Sequence, residues 1–306
     1  MLQTALVTGA NGFVGRHLVT RLTAEGWRVV RLVRDPPFDP EPDTIALGGA
    51  PWSVAAIAGA LESSRPDTVF HLVGSPWASS TAELYELNFM AAVRLFEAIA
   101  TRSPASAVVL IGSAAEYGFV PEDSQPVTED FPCTPMTHYA IAKYAQTQLG
   151  LAWARAGMPV MIARLFNPVG PDMPRQLALA EFVRQIHDET SALLVGNLDV
   201  ARDFLHVTEA ARIIVGLASD RKNFGQVINV CSGVAICLRR VVEELTRLAD
   251  RPITITTDPS RLRTGEMRSL RGDATRLRGA GLEVDPPDPS RLAMELLRST
   301  AIELPT

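Results

Sequence analysis

Residues 2–33 restrict the fold more than any other stretch. Leu2 to Val7 is a short apolar run that reads as a buried strand, leading directly into Thr8-Gly9-Ala10-Asn11-Gly12-Phe13-Val14-Gly15. Arg16 to Glu25 then has helical spacing, with Leu18, Val19 and Leu22 as its apolar side. Gly26 ends that helix, and Trp27 to Val33 reads as the next strand. Strand, glycine turn, helix, strand is the context a dinucleotide fingerprint requires. One glycine makes the turn, one lets backbone approach a pyrophosphate, and one allows the helix to sit tight on the sheet. The helix N-terminus then presents N–H groups to phosphates. The spacing is G-x-x-G-x-x-G rather than G-x-G-x-x-G. A glycine triplet alone is weak evidence; inside a βαβ unit it is strong.

Two further segments bear chemistry. In Tyr139-Ala-Ile-Ala-Lys143 a phenol and an ammonium lie four residues apart, and Lys222 is the only other lysine. Positions i and i+4 share a helix face, so both groups can enter one cleft. A neighbouring cation favours the phenolate, so Lys143 is expected to lower the Tyr139 pKa from about 10. Such a tyrosine exchanges a proton with a sugar hydroxyl or carbonyl near neutral pH. Taken alone the spacing is also that of an ordinary amphipathic helix. Upstream, Val108 to Gly112 reads as a buried strand that ends in Ser113. Ligands of open parallel sheets sit beyond the carboxyl ends of strands, so Ser113 falls where a substrate oxygen would lie.

Composition agrees with one large α/β unit plus a smaller lobe. The chain has 306 residues, 47% of them hydrophobic, enough for a large core. A net charge of −5 gives no basic footprint for nucleic acid. Its apolar runs are strand-length, too short to span a membrane. No signal-like segment precedes Leu2, and Cys133, Cys231 and Cys237 are odd in number, so a cytoplasmic protein is expected. The five histidines form no metal-binding pattern, so no metal is expected.

Strands are expected at 2–7, 28–33, 44–47, 68–73, 107–112 and 159–165, alternating with helices. That rhythm predicts a doubly wound parallel sheet of the Rossmann type over residues 1–170. Residues 171–306 break it: helices are expected at 176–189, 204–218, 237–250 and 290–299, with a strand at 226–230. They are read as a substrate-binding lobe, with segments near 200–230 returning to the sheet.

Together these residues resemble the extended short-chain dehydrogenase/reductase family, in its nucleotide-sugar branch. T-G-x-x-G-F-V-G, the S-x-x-x-Y-G strand end and Y-x-x-x-K are that branch's signatures, present in order. The likeness runs from about residue 2 to 298. It includes Pro66 to Leu72 as a fourth strand, a structural asparagine at Asn88, and Arg164 to Pro171 over the nicotinamide and sugar. Arg202 to Val207 resembles the nucleotide-sugar loop. The resemblance implies Ser113, Tyr139 and Lys143 as catalytic residues. It implies a cofactor held by Gly9, Asn11, Gly12, Phe13, Val14, Gly15, Arg34, Leu72, Val73, Gly74, Tyr139, Lys143 and Leu165. A nucleotide-sugar substrate would meet Ser113, Ala114, Asn167, Val195, Arg202, Arg263 and Glu266. Arg263 has a second reading, as an ion pair with Glu266.

Arg34 ends the second strand where NAD enzymes usually keep an acid, and guanidinium suits a 2′-phosphate, so NADP(H) is favoured. Asp35 keeps NAD(H) open. The loop Leu47-Gly48-Gly49-Ala50 lacks the family's usual aspartate near the adenine. Dehydratases of the family place two acids after the strand-end hydroxyl; here they are Ala114 and Ala115, and Glu116 should point away. Cys133 and His138 read as loop packing. The remaining pattern is most similar to GDP-4-keto-6-deoxymannose reductases and to deoxysugar 4-ketoreductases, which implies reduction of a 4-keto sugar. Alternatives are a 4-epimerase and a dinucleotide-binding sensor. By analogy, helices near 84–101 and 139–156 would pair in a homodimer through a four-helix bundle. Their alanines (Ala91, Ala92, Ala98, Ala142, Ala145, Ala152) would permit close approach between subunits or pack on the sheet.

Overall fold

In the computed structural model, which describes residues 2–35, 42–49, 51–262 and 265–298, the first apolar run forms β1 (Thr4–Thr8), buried at every position. After the glycine turn come α1 (Phe13–Ala24), β2 (Arg28–Val33), β3 (Thr44–Ala46), α2 (Val54–Ser64), β4 (Thr68–His71) and α3 (Thr81–Tyr85). Next are α4 (Ala91–Arg102), β5 (Ala107–Ser113), α5 (His138–Arg155), β6 (Val160–Leu165), β7 (Asn167–Val169), α6 (Ala178–His187) and β8 (Ala192–Val195). The chain continues through β9 (Ala201–His206), α7 (Val207–Ala218), β10 (Val227–Val230), β11 (Ala235–Cys237), α8 (Leu238–Leu248) and β12 (Thr254–Thr257). It closes with β13 (Ser269–Leu270), α9 (Thr275–Gly279) and α10 (Pro289–Arg298).

The main sheet has seven parallel strands in the order β10-β6-β5-β4-β1-β2-β3. Strand order reverses between β1 and β4, which opens a crevice beyond their carboxyl ends. Side chains alternate along each strand, so both faces of the sheet are apolar. Val7, Phe70 and Val109 meet Leu18 and Leu22 of α1 and Ile213, Ile214 and Leu217 of α7. Leu6, Val69, Val108 and Leu110 meet Ile57 and Leu61 of α2 and Leu95, Phe96 and Ile99 of α4. Each such side chain contributes roughly 1.5–3 kcal/mol when fully buried.

A separate core holds the lobe: Phe182 and Val183 of α6, Leu193 of β8, Val241 and Leu245 of α8, and Leu292 and Leu296 of α10. Here the sequence expectations need correction. Phe204 to His206 belong to β9, not to a helix; Phe204 and Leu205 pair with Asn167 and Pro168 of β7. The short strands β8 and β12 had no local signal. All four residues of β12 are exposed, so no apolar alternation marks it. The helix expected over 84–101 is interrupted by a π-helical turn at Glu86–Met90. There the buried Asn88 side chain donates to the Leu84 carbonyl (2.8 Å), intruding into the helical ladder. Its Nδ2 also reaches Ser75 O (2.8 Å), and its Oδ1 accepts from Ser75 N (3.0 Å), tying down the loop after β4. Ala92, Ala98 and Ala142 are fully buried within the subunit, which leaves them unavailable for contact with a second one.

α1 approaches the glycine turn after β1 very closely. A Cβ on Gly15 would lie 2.0 Å from the Gly9 carbonyl oxygen, whereas one on Gly59 in α2 would meet nothing within 4 Å. Gly15→Ala should therefore lower the unfolding free energy by about 1–3 kcal/mol or more. Gly59→Ala should raise it by roughly 0.5–1 kcal/mol, because Ala outranks Gly in a helix. Urea denaturation of the two variants checks the pair; equal stabilities would contradict the packing account.

Candidate active site

The crevice is built first by the glycine turn. Gly9 has φ +69°, and a Cβ there would sit 2.9 Å from the Leu72 carbonyl carbon, so this position must lack a side chain. Gly12 N donates to Gly9 O (3.0 Å), and Gly12 caps α1 with no side-chain hydrogen bond. The first N–H groups of α1, from Phe13 to Gly15, thus have no side-chain acceptor at the helix end. Gly9, Asn11 and Gly12 open into a cleft of about 340 Å³. Val73, Arg34 and Asp35 line it, as do residues the sequence reading missed, Pro51, Trp52, Glu86 and Arg94 among them. No spacing rule marks these four, because two distant segments bring them together: the connection before α2, and the π-helical turn running into α4. Arg94 and Glu86 form a forked ion pair there. Arg34 Nε lies 2.7 Å from Asp35 Oδ2 on the rim, both side chains 63% exposed. Such a surface pair is worth about 0–1 kcal/mol, little enough for a phosphate to displace.

The proposed catalytic residues come from β5 and α5. Thr137 caps α5 by accepting from Ala140 N (3.1 Å), which places Tyr139 in the first turn and Lys143 one turn later. The Tyr139 side chain lies beside that of Ser113 at the end of β5, near enough for the serine hydroxyl to favour the phenolate. Lys143 is buried; its Nζ donates to Ile111 O (2.5 Å) and Gln146 Oε1 (2.6 Å). A Cβ on Gly74 would lie 2.7 Å from Asn88 Oδ1 and 3.8 Å from Lys143 Nζ, so the strand-end segment Leu72–Gly74 runs beside the lysine. Ser113 pairs in register with Leu165, which is nearly buried.

The electrostatics differ from the sequence expectation. Burial pushes the Tyr139 phenol above its ordinary value; the Ser113 hydroxyl opposes that rise and the Glu116 charge adds to it. The lysine does not acidify the phenol in this arrangement, because its ammonium is turned to Ile111 and Gln146. Burial lowers Lys143 to about 8, with Glu116 opposing. His71 is buried too, its Nδ1 2.8 Å from Thr8 Oγ1 and its Nε2 without a hydrogen-bond partner. Burial and the Lys143 charge push it down to about 3.

Glu116 points away from the cleft opening, into the protein. It is fully buried, accepts from Ser113 N (2.7 Å) and pairs with Arg164 (3.0 Å). Arg164 in turn lies over the Tyr117 ring, 4.5 Å from its centroid, and Tyr117 OH donates to Asn229 Oδ1 (2.8 Å). Ala114, nearly buried, offers no acid beside Ser113. Cys133 packs on the same cluster, its thiol pushed up by burial. His138 lies edge-on to Tyr85, 3.3 Å from its hydroxyl.

The substrate-side expectations fare unevenly. Asn167 Nδ2 donates to Asp203 O (3.0 Å), and the buried Asp203 carboxylate accepts from Ser232 N and Oγ, Gly233 N and Gly272 N. Arg202 Nη2 lies 3.7 Å from Glu266 Oε1, each about one-fifth exposed, so these two expected ligands face each other. Val195 is fully buried in the lobe core, where its side chain packs. Arg263 lies outside the described residues. Among the described residues no group of three His, Cys, Asp or Glu converges as a metal site, and no helix is long and apolar enough to cross a membrane.

Residues 5–231 match the model of the NAD dependent epimerase/dehydratase family. The chain belongs to that family. It is 32% identical to GDP-6-deoxy-D-mannose reductase of Pseudomonas aeruginosa over 90% of each chain. It is 30% identical to dTDP-6-deoxy-L-talose 4-dehydrogenase (NAD(P)(+)) of Kitasatospora kifunensis, over 85% of this chain and 83% of that one. The solved structure of RMD from Pseudomonas aeruginosa, complexed with NADPH, is similar with a TM-score of 0.82 at 29% identity. That match covers 98% of this chain and 97% of the other. This family member thus shares its fold and most of its length with nucleotide-sugar oxidoreductases.

The buried His71 sets a pH response. The folded state keeps its ring neutral down to about pH 3, whereas an unfolded histidine takes a proton near 6.5. Between those values the unfolded chain binds more protons, so His71 subtracts stability as pH falls and subtracts none above the window. His71→Asn, which keeps a hydrogen-bonding partner for Thr8, should show a shallower acid loss of stability across that window. Melting curves over the same pH range would count against this if both proteins lost stability in parallel.

Proposed function

We propose that this family member uses NADPH to reduce the 4-keto group of a nucleotide-activated 4-keto-6-deoxyhexose. The observation behind the reading is the placement of Tyr139, in the first turn of α5, beside Ser113 at the carboxyl end of β5, with buried Lys143 on the same helix. The glycine turn, where Gly9 and Gly12 bring backbone to the surface, and the uncapped start of α1 suit a pyrophosphate. Bound in this crevice, the cofactor supplies the hydride.

The chain's own groups do the rest. Tyr139, kept protonated by burial, donates its proton to the C4 oxygen as negative charge builds there. Ser113 orients the carbonyl and donates a hydrogen bond to that oxygen. Lys143 holds a positive charge behind the phenol and binds the nicotinamide ribose. Ala114 and Ala115 have no proton to exchange, which disfavours dehydration. Arg202 and Asn167 would meet the nucleotide diphosphate, with Arg202 exchanging Glu266 for phosphate. The Arg34 guanidinium at the rim supports NADPH, and the names of the relatives allow NAD(H) as well.

We further propose a cytoplasmic homodimer formed through the helix pair of α4 and α5. Three free cysteines support the compartment. The outward stripe of α5, running Ile141, Ala145, Gln148 and Ala152, is uncharged and supports the interface.

Following nicotinamide absorbance with NADPH and 4-keto-6-deoxy nucleotide sugars tests the reaction. Cofactor consumption is expected; sugar interconversion without it would indicate a 4-epimerase, and no reaction with any nucleotide would leave a binding protein. Tyr139→Phe should bind NADPH normally and lose about 10²–10⁴-fold in turnover, and a fully active variant would refute the proton-donor role. Arg34→Leu should cut the preference for NADPH over NADH about tenfold, the worth of one charge-assisted phosphate contact. Ratios of kcat/KM for the two cofactors measure it.

A further inference from the structure

We infer that Glu116 is a positioning residue for the Tyr139–Ser113 pair, holding the Ser113 backbone from beneath the strand end and directing a buried negative charge at the phenol. This rests on the proposed roles of Tyr139 and Ser113. The carboxylate is split between two tasks. Oε1 accepts from Ser113 N at 2.7 Å, and Oε2 takes Arg164 Nη2 at 3.0 Å and Nε at 3.2 Å. Ser113 N is thus held from below, while its hydroxyl caps the turn by accepting from Ala115 N (3.2 Å) and meets Tyr139.

The strand itself is shaped around this carboxylate. A Cβ on Gly112 would lie 2.8 Å from Glu116 Oε1 and 3.4 Å from Thr147 Oγ1 of α5. Glu116 therefore occupies the narrow space where β5 meets the catalytic helix. The charged and titratable groups facing it are Arg164 of β6, Cys133 of the loop before α5, and Tyr139 and Lys143 of α5, besides its neighbour Tyr117. Arg164 approaches Oε2, so the oxygen nearer the catalytic groups is the one on Ser113. An anion placed there resists loss of the Tyr139 proton and favours the charge on Lys143, as a proton-donating tyrosine beside a cationic lysine requires.

The test needs no substrate, so failure of the reductase assignment leaves it intact. Phenolate absorbance is titrated in the parent protein and in Tyr139→Phe, and the difference isolates Tyr139. The same pair is made in the Glu116→Gln background, with circular dichroism following the fold throughout. Gln keeps an acceptor for Ser113 N while removing the charge. The Tyr139 step is expected about one pH unit lower than in the parent. If Glu116→Gln alone fails to fold around an unpaired Arg164, the double variant Glu116→Gln/Arg164→Gln decides, and it too should ionise Tyr139 earlier. A Tyr139 step at the parent pH, or above it, in a folded variant would overturn the proposal and leave Glu116 as a structural partner of Arg164.

Discussion

Backbone meets backbone where α1 crosses the end of β1, and the rest of the molecule is arranged around that contact. Gly15 lies so near the Gly9 carbonyl that any side chain would collide. The close approach sets the start of α1 directly over the crevice between β1 and β4. It also seats Leu18 and Leu22 against the sheet and against α7, although α7 comes some two hundred residues later in the chain. One steric requirement thus couples the cofactor end of the sheet to the segment that returns from the lobe.

A second constraint lies under the neighbouring strand. Glu116, Arg164, Tyr117 and Asn229 form a buried polar chain that links β5, β6 and β10. A buried ion pair of this kind adds little net stability, yet removing one partner costs about 3–5 kcal/mol. Its value is geometric: three strands are held in one register at the point where Ser113 emerges. The buried Asp203 does the same on the lobe side, collecting four hydrogen bonds from two loops. Both carboxylates sit one step behind the residues expected to touch substrate.

The cofactor side and the substrate side differ in readiness. The glycine turn is fixed by sterics alone. Arg202 and Glu266, by contrast, face each other at 3.7 Å, a distance loose enough for either to take another partner. Lys143 likewise rests on Ile111 and Gln146, both neutral acceptors, so its charge is not spent on a carboxylate.

Local pattern alone determined the first half of the fold. An apolar run, a glycine turn and a helical repeat each depend on neighbours within a few residues, so β1, α1 and β2 were legible, as were Ser113, Tyr139 and Lys143 from their positions on strand and helix. The lobe was not legible to the same degree. β8 and β12 have only four residues each and β12 is wholly exposed, so their strand character, like that of β9, comes from pairing with distant partners rather than from their own residues. Only the tertiary structure brought Trp52, Glu86 and Arg94 to one cleft and placed Glu116 against Arg164, forty-eight residues away. It alone also decided the ionisation of Tyr139. Spacing can put a lysine on the same face as a phenol, but burial and the direction of the ammonium fix what each proton does.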